Sequence, residues 1–286
     1  MTYILHCGDC LDILPTIPSQ SVDAVITDPP YPMIKRDYGM LTEAEWWDMM
    51  MGVCTEVRRV LKPTGSAVFI LQPNSRKVGS MRGWLWRFMW WVTEEWNMVQ
   101  DAYWWNHTAL PGAVCAPRER GLMRQSVKPI IWAGLENCYR NQDAVLWGES
   151  EATAARRHDR RWGRQERPSG NGTNDVQMAN TALERGGTTP FNLLPVGNTD
   201  SKASAGASGH GAGTPLKLAD WWTRYIVPPG GTVLDPFNGA GTMGVAALQN
   251  GAHYIGIERM AKYVDVSHER LAKVQPALIQ STETAC

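Results

Sequence analysis

The sequence predicts an α/β fold built on a mainly parallel sheet with helices on both faces. Short apolar runs rich in β-branched residues alternate with helical patterns along most of the chain. Two of these runs, Val22–Thr27 and Thr232–Leu234, lead into an acid followed by proline, at Asp28-Pro29 and Asp235-Pro236. A Gly-rich loop, Asn238–Gly244, then separates the second run from a helix, as in nucleotide-binding sheets.

Taken in order, residues 3–5 and 22–27 read as buried strands, and Pro29-Pro30 forbids continuation of the second. Thr42–Leu61 follows as a helix, with Thr42 and Glu45 spaced for a capping box. Lys62–Gly65 reads as a turn and Ser66–Leu71 as a strand. An amphipathic helix is expected over 80–96, then strands over 102–106 and 126–134. Residues 149–213 are rich in Gly, Ser, Thr, Asn, Ala and Arg, with too few large apolar groups to bury a core. They read as long loops or an insertion that substrate orders. Regular structure resumes with a helix at Pro215–Ile226, a turn at Pro228–Gly231 and the strand Thr232–Leu234. Helix Val245–Gln249, a stop at Gly251, strand His253–Ile257 and a helix over 261–274 complete the alternation.

Composition narrows the class. With 43% hydrophobic and 20% charged residues the chain is ordinary for a globular protein, and it has no apolar run long enough to span a membrane. The start, Met1–His6, lacks a charged segment followed by an apolar one, so no secretory signal is expected and the expected location is cytoplasmic. Among the six cysteines, Cys7 and Cys10 alone have C-x-x-C spacing, without a second pair. They read as buried thiols, and no metal is expected. A net charge of zero leaves no global basic footprint for a nucleic acid, but Arg156, Arg157, Arg160, Arg161, Arg164 and Arg167 face only Asp159 and Glu166 locally.

Two constellations carry chemistry. In Val233–Thr242 a strand ends in Asp235, Gly239 and Gly241 open a helix, and Glu258 follows at the tip of the next strand. Glycines permit close backbone approach to a ligand, and an acid about twenty residues on grips ribose hydroxyls. The loop lacks the Gly-Lys-Ser/Thr of a P-loop and the third glycine of a dinucleotide site, so a nucleoside without pyrophosphate fits better. S-adenosylmethionine is such a ligand. The second constellation is Asp28-Pro29-Pro30-Tyr31, at the carboxyl end of a strand, where open parallel sheets bind ligands. Asp28 and the Pro29 carbonyl would be two fixed acceptors for an amino group, and Tyr31 a face on which an extruded base stacks.

Together these motifs resemble the amino-group DNA methyltransferases, in particular the subgroup called β. There the catalytic motif comes first, the target-recognition region second and the cofactor loop last, which is the order here. The resemblance spans most of residues 3–134 and 210–272. It implies a Rossmann-like S-adenosylmethionine-dependent methyltransferase fold with an inserted target-recognition region. It divides the chain into a catalytic part (1–134), a polar Arg-rich recognition region (135–209) and a cofactor-binding part (210–286). It also implies catalytic roles for Asp28, Pro29, Pro30 and Tyr31. Cofactor contacts are implied for Asp9, Cys10, Asp28, Thr214, Asp235, Phe237, Asn238, Gly239, Gly241, Thr242, Glu258 and Arg259. Thr214 stands where the family commonly has lysine, so a charge is missing there.

The implied substrate is double-stranded DNA, the implied target N6 of adenine, since Asp at the first tetrad position is the usual adenine choice. N4 of cytosine is the alternative within the family. An RNA or protein-amide methyltransferase is a rival, although its tetrad usually follows the cofactor loop, and a catalytically silent nucleic-acid binder is another. The six arginines are expected either to contact DNA or to form a solvated charge run. Trp84, Trp86, Trp90, Trp91, Trp96, Trp104 and Trp105 are expected in the core or at a subunit interface, and family members are often homodimers.

Overall fold

A computed structural model describes residues 1–109, 121–148, 181–198 and 213–274, with short pieces at 151, 155, 164–165, 173–174 and 281–283. The β-branched runs of the sequence pair into a nine-stranded sheet. The strands are β1 (Tyr3–Cys7), β2 (Val22–Thr27), β3 (Leu61–Ile70), β4 (Met98–Trp105), β5 (Val127–Gly134), β6 (Leu193–Pro195), β7 (Thr232–Asp235), β8 (His253–Glu258) and β9 (Ser281–Glu283). Their order across the sheet is β6-β4-β5-β3-β2-β7-β8-β1-β9. Within this sheet, among the described residues, β5 alone runs antiparallel to its neighbours β3 and β4, and the other pairings are parallel. All six residues of β2 are buried, as expected of a strand covered on both faces.

The helices are α1 (Cys10–Ile13), α2 (Glu43–Val60), α3 (Trp84–Glu95), α4 (Leu216–Ile226), α5 (Thr242–Gln249) and α6 (Ala261–Ala272). The capping box of α2 forms as read: the Thr42 hydroxyl accepts from Glu45 N, and the Glu45 carboxylate accepts from Thr42 N. Such a cap contributes about 1 kcal/mol. Trp46, Met50, Val53, Cys54, Val57 and Val60 form its buried stripe and pack in one core with Trp84, Leu85, Phe88 and Val92 of α3. No described helix is long and apolar enough to cross a membrane.

Several expectations shift. The extended run of β3 already begins at Leu61, and the turn expected at Lys62–Gly65 is instead an irregularity in its pairing with β2. Helix α5 starts at Thr242, three residues earlier than expected, because Gly241 in a left-handed conformation supplies its N-cap. Leu193–Pro195, placed by the sequence in the polar recognition region, is an edge strand paired with β4. Leu194 is buried there, and an edge position tolerates Pro195. Cys10 is a buried thiol pushed up to about 12 by burial, whereas Cys7 is disulfide-bonded, so the two-thiol reading holds for Cys10 alone. The tryptophans divide: Trp84 and Trp104 are core, while Trp86 and Trp90 are 51% and 65% exposed.

Residues Asn141–Phe191 form a second compact unit. Within it Trp147 and Thr188 exchange backbone hydrogen bonds, Arg185 pairs with Asp143 at 2.5 Å, and Trp147 meets Phe191 edge to face. Residues 164–165 pair antiparallel with 173–174. Arg156, Arg157, Arg160, Arg161 and Arg167 lie outside the described residues, and of Arg164 only the backbone is described.

Candidate active site

The carboxyl ends of β1, β2, β7 and β8 open on one cavity of about 380 Å³. Strand β2 delivers Asp28 to its wall, and the two prolines prevent the chain from pairing further. The Pro30 carbonyl accepts from the Trp46 indole at 2.7 Å, which ties the tetrad to α2. Both Asp28 oxygens are held: Tyr31 O–H donates to Oδ1 at 2.5 Å, and the Thr214 hydroxyl to Oδ2 at 2.7 Å. Burial, followed by the Asp28 charge, pushes the Tyr31 phenol well above its ordinary value, so it stays a neutral donor.

Strand β7 ends in Asp235, only 2% exposed. Its Oδ1 accepts from the Thr27 hydroxyl at 2.6 Å and from Phe237 N at 3.0 Å. Burial raises this carboxyl to about 7; the two hydrogen bonds pull it down, and the charges of Asp28 and Glu258 push it up. Glu258, at the end of β8, accepts from Gly239 N at 2.9 Å and Met260 N at 2.8 Å, and burial raises its pKa. Asn238 anchors the loop between them, its N bonded to Ile257 O and its Oδ1 accepting from Tyr254 O–H at 2.7 Å.

Asp9, Cys10, the tetrad, Thr214, Asp235, Phe237, Asn238, Gly239, Thr242, Glu258 and Arg259 all line this cavity. Gly241 does not. It turns the chain at φ +76°, and a Cβ there would lie 2.2 Å from Ser267 Oγ on α6, so its part is to admit that close packing. Asp9 also accepts from Leu11 N at 3.0 Å as the cap of α1. The Thr214 hydroxyl is committed to Asp28, which leaves its backbone to meet a ligand. Sequence reading missed other lining residues: Gln72, Lys128, and Arg36 and Tyr38 on the loop after the tetrad. Arg36 and Tyr38 follow Tyr31 closely, but nothing in their spacing marks them. Lys128 is a hundred positions from Asp28, on the antiparallel strand.

A parallel sheet whose strand ends converge on one acid-lined cavity, with a glycine loop leading into a helix, is the architecture of the Rossmann-like methyltransferases. The N6/N4 DNA methylase family profile matches residues 22–269, and the chain belongs to that family. It is 25% identical over 278 residues to the type II methyltransferase M.PvuII of Proteus hauseri, covering 92% of this chain and 82% of that one. With M.Cfr9I of Citrobacter freundii identity is 28% over 300 residues, covering 92% and 86% of the two chains. Among solved structures, the cytosine-N4-specific PvuII DNA methyltransferase superposes with a TM-score of 0.71 at 23% identity, over 94% of this chain and 86% of that one. TTHA0409 of Thermus thermophilus, a putative DNA modification methylase complexed with S-adenosyl-L-methionine, gives 0.59 at 20% identity over 98% and 100% of the chains. These likenesses establish a shared fold.

Proposed function

We propose that this protein transfers a methyl group from S-adenosylmethionine to N6 of adenine in double-stranded DNA, as the modification activity of a restriction–modification pair. The observation that carries this reading is the shared cavity: Asp28–Tyr31 and the Asp235–Thr242 loop open on the same space. The site suits that cofactor chemically. Asp28, Asp235 and Glu258 line the cavity with carboxylates, which match a ligand bearing sulfonium and ammonium groups. Leu11, Phe237 and Ile257 supply apolar surface for its adenine.

Glu258 would hold the ribose hydroxyls, Asp9 and Cys10 the adenine end, and Phe237, Asn238, Gly239, Thr242 and Arg259 the remainder. When bound, S-adenosylmethionine supplies an already activated methyl group, so the protein's task is alignment. A base extruded from the duplex stacks on Tyr31. Its amino hydrogens bond to Asp28 and the Pro29 carbonyl, which directs the nitrogen lone pair toward the methyl. Each Asp28 oxygen keeps acceptor capacity beyond the hydroxyl it already holds. Asp28 need not act as a strong base, because the nitrogen sheds its proton readily once methylated.

Residues 135–209, which include the unit Asn141–Phe191, are assigned target recognition, with the six arginines on DNA phosphates or guanine edges. Action in the cytoplasm follows from this role. A homodimer is compatible with the exposed Trp86 and Trp90. N4 of cytosine is the second reading, favoured by the cytosine-N4 specificity of the PvuII enzyme. Incubation with labelled S-adenosylmethionine and unmethylated genomic DNA, then nucleoside mass spectrometry, separates the two. N6-methyladenine supports adenine; N4-methylcytosine moves the target and leaves the mechanism; neither product sinks the reading.

A further inference from the structure

We infer that Lys128 is a base-reading residue, donating a hydrogen bond to the ring nitrogen beside the amino group that receives the methyl. The inference rests on the methyl-transfer reading above and adds a specificity-determining contact to it. Lys128 lies on β5 and lines the same cavity as Asp28 and Tyr31. Its ammonium sits 4.4 Å from the centroid of the Trp104 ring and 6.0 Å from that of Tyr31. Trp104 is 1% exposed, so the lysine is anchored against a fixed wall.

Lys128 is half-buried, and its ammonium opens on the cavity with three donors to place. The Trp104 face offers the charge a cation–π contact, but no oxygen or nitrogen acceptor. Among the described residues no carboxylate pairs with Lys128 and no hydrogen bond to its ammonium is formed. Burial lowers its pKa, as does Arg36, and the nearby Asp28 charge opposes the fall. A cation kept in the wall of a catalytic cavity without a hydrogen-bond acceptor indicates that the ligand brings one.

Adenine and cytosine share what such a donor reads. Each has an acceptor ring nitrogen next to the carbon that bears the amino group, N1 in adenine and N3 in cytosine. A base stacked on Tyr31 at about 3.5 to 4 Å, with its amino group on Asp28, has its edge within reach of an ammonium 6.0 Å from the same ring centroid. Asp28 accepts from the amino group while Lys128 donates to its neighbour, so the two together fix the rotation of the base. Thymine, with a carbonyl in place of the amino group and an N–H in place of the ring acceptor, would mismatch both.

The test pairs a protein change with a substrate change. The target base in a duplex is replaced by its ring-carbon analogue (1-deazaadenine or 3-deazacytosine), and kcat/KM is measured for wild type, Lys128→Met and Lys128→Gln. Wild type should lose roughly 10- to 100-fold on the analogue, the scale of a hydrogen bond to a charged group. Lys128→Met should lose a similar factor on the natural duplex and discriminate little between the two. Because both proteins see the same analogue, its intrinsic reactivity cancels. Unchanged S-adenosylmethionine affinity by calorimetry shows that the variant folds; if Lys128→Met does not, Lys128→Leu, which likewise has no donor, takes its place. Wild type that methylates the analogue as well as the natural base overturns the assignment. So does a folded variant that keeps wild-type discrimination, since a purely structural lysine would behave that way. Wild type without transfer to the natural duplex overturns the methyl-transfer reading itself, and this contact with it.

Discussion

The Thr214 hydroxyl donates to Oδ2 of Asp28 at 2.7 Å across 186 positions of chain. It joins the segment before α4 to the tetrad after β2, with Tyr31 O–H holding the other oxygen. Thr214→Val keeps the shape and removes the donor. Turnover should fall about tenfold, the scale of a hydrogen bond to a charged group, with a smaller change in cofactor affinity. Thr214→Ser should keep the rate. Asp28→Ala should bind cofactor and transfer no methyl, and turnover by that variant would remove Asp28 from the mechanism.

Asp235 offers a pH signature. Its folded carboxyl titrates at about 7 against an ordinary 3.8, because burial disfavours the charge. The folded state therefore holds the proton more tightly than the unfolded chain. That contribution is fully present below about pH 4 and lost as pH rises through about 7. Asp235→Asn keeps the Oδ1 acceptor for Thr27 and Phe237 N without the charge. It should raise unfolding free energy above pH 7 by at most roughly 4 kcal/mol, the gain shrinking toward pH 4. Urea midpoints across that range check this, and a pH-independent difference would contradict it.

Much of the fold was legible because its signals are local. Val22–Thr27 is rich in β-branched residues and stops short of two prolines, and Thr42 with Glu45 announces a helix start within four residues. The acids of the cavity wall were legible for the same reason: Asp235 and Glu258 each end a strand next to a glycine turn or a polar tip. What escaped depends on which strands become neighbours. Lys128 reaches the cavity because β5 pairs antiparallel with β3, which no local pattern encodes. Leu193–Pro195 is too short to read as a strand until β4 presents an edge to it. Gly241 was read as a ligand contact, yet its need is steric and set by Ser267, twenty-six positions away.

That steric need gives a third expectation. Gly241→Ala places a methyl against Ser267 and forces a side chain into a left-handed conformation at φ +76°. A loss of about 2 kcal/mol or more should follow, by combined overpacking and backbone strain. Adding Ser267→Ala should restore part of it, because the clash is relieved and the strain is not. Thermal unfolding of both variants measures the division; no rescue would mean that strain alone is responsible.

For the proposed recognition region, neutralising Arg160, Arg161 and Arg164 together should weaken DNA binding and flatten its salt dependence, with cofactor affinity intact. For every phosphate the protein no longer neutralises, the log–log salt slope should shrink by about 0.9. Anisotropy titrations at several salt concentrations give the slope directly. An unchanged slope would assign these arginines to a solvated charge run.

The loop after the tetrad is tied down to the segment after β8 and to α6. Asp37 accepts from Lys262 at 2.6 Å and from Tyr263 O–H, and Arg259 donates to the Tyr38 carbonyl at 3.2 Å. The Lys262 and Tyr263 hydrogen bonds hold the Asp37 carboxyl at about 2, so it is ionised and the tie is intact at neutral pH. Both Asp37 and Lys262 are substantially exposed, so the pair adds little to global stability. What it governs is the loop carrying Arg36 and Tyr38, both of which line the cavity. Asp37→Asn loses the charge and keeps one acceptor, whereas Asp37→Ala loses both. Cofactor dissociation followed by stopped flow should therefore accelerate several-fold in Asp37→Ala and less in Asp37→Asn, with unfolding midpoints nearly unchanged. High salt should bring wild type toward Asp37→Asn, because an exposed ion pair is screened. Equal dissociation rates in all three proteins would show that the tie does not control passage of the cofactor.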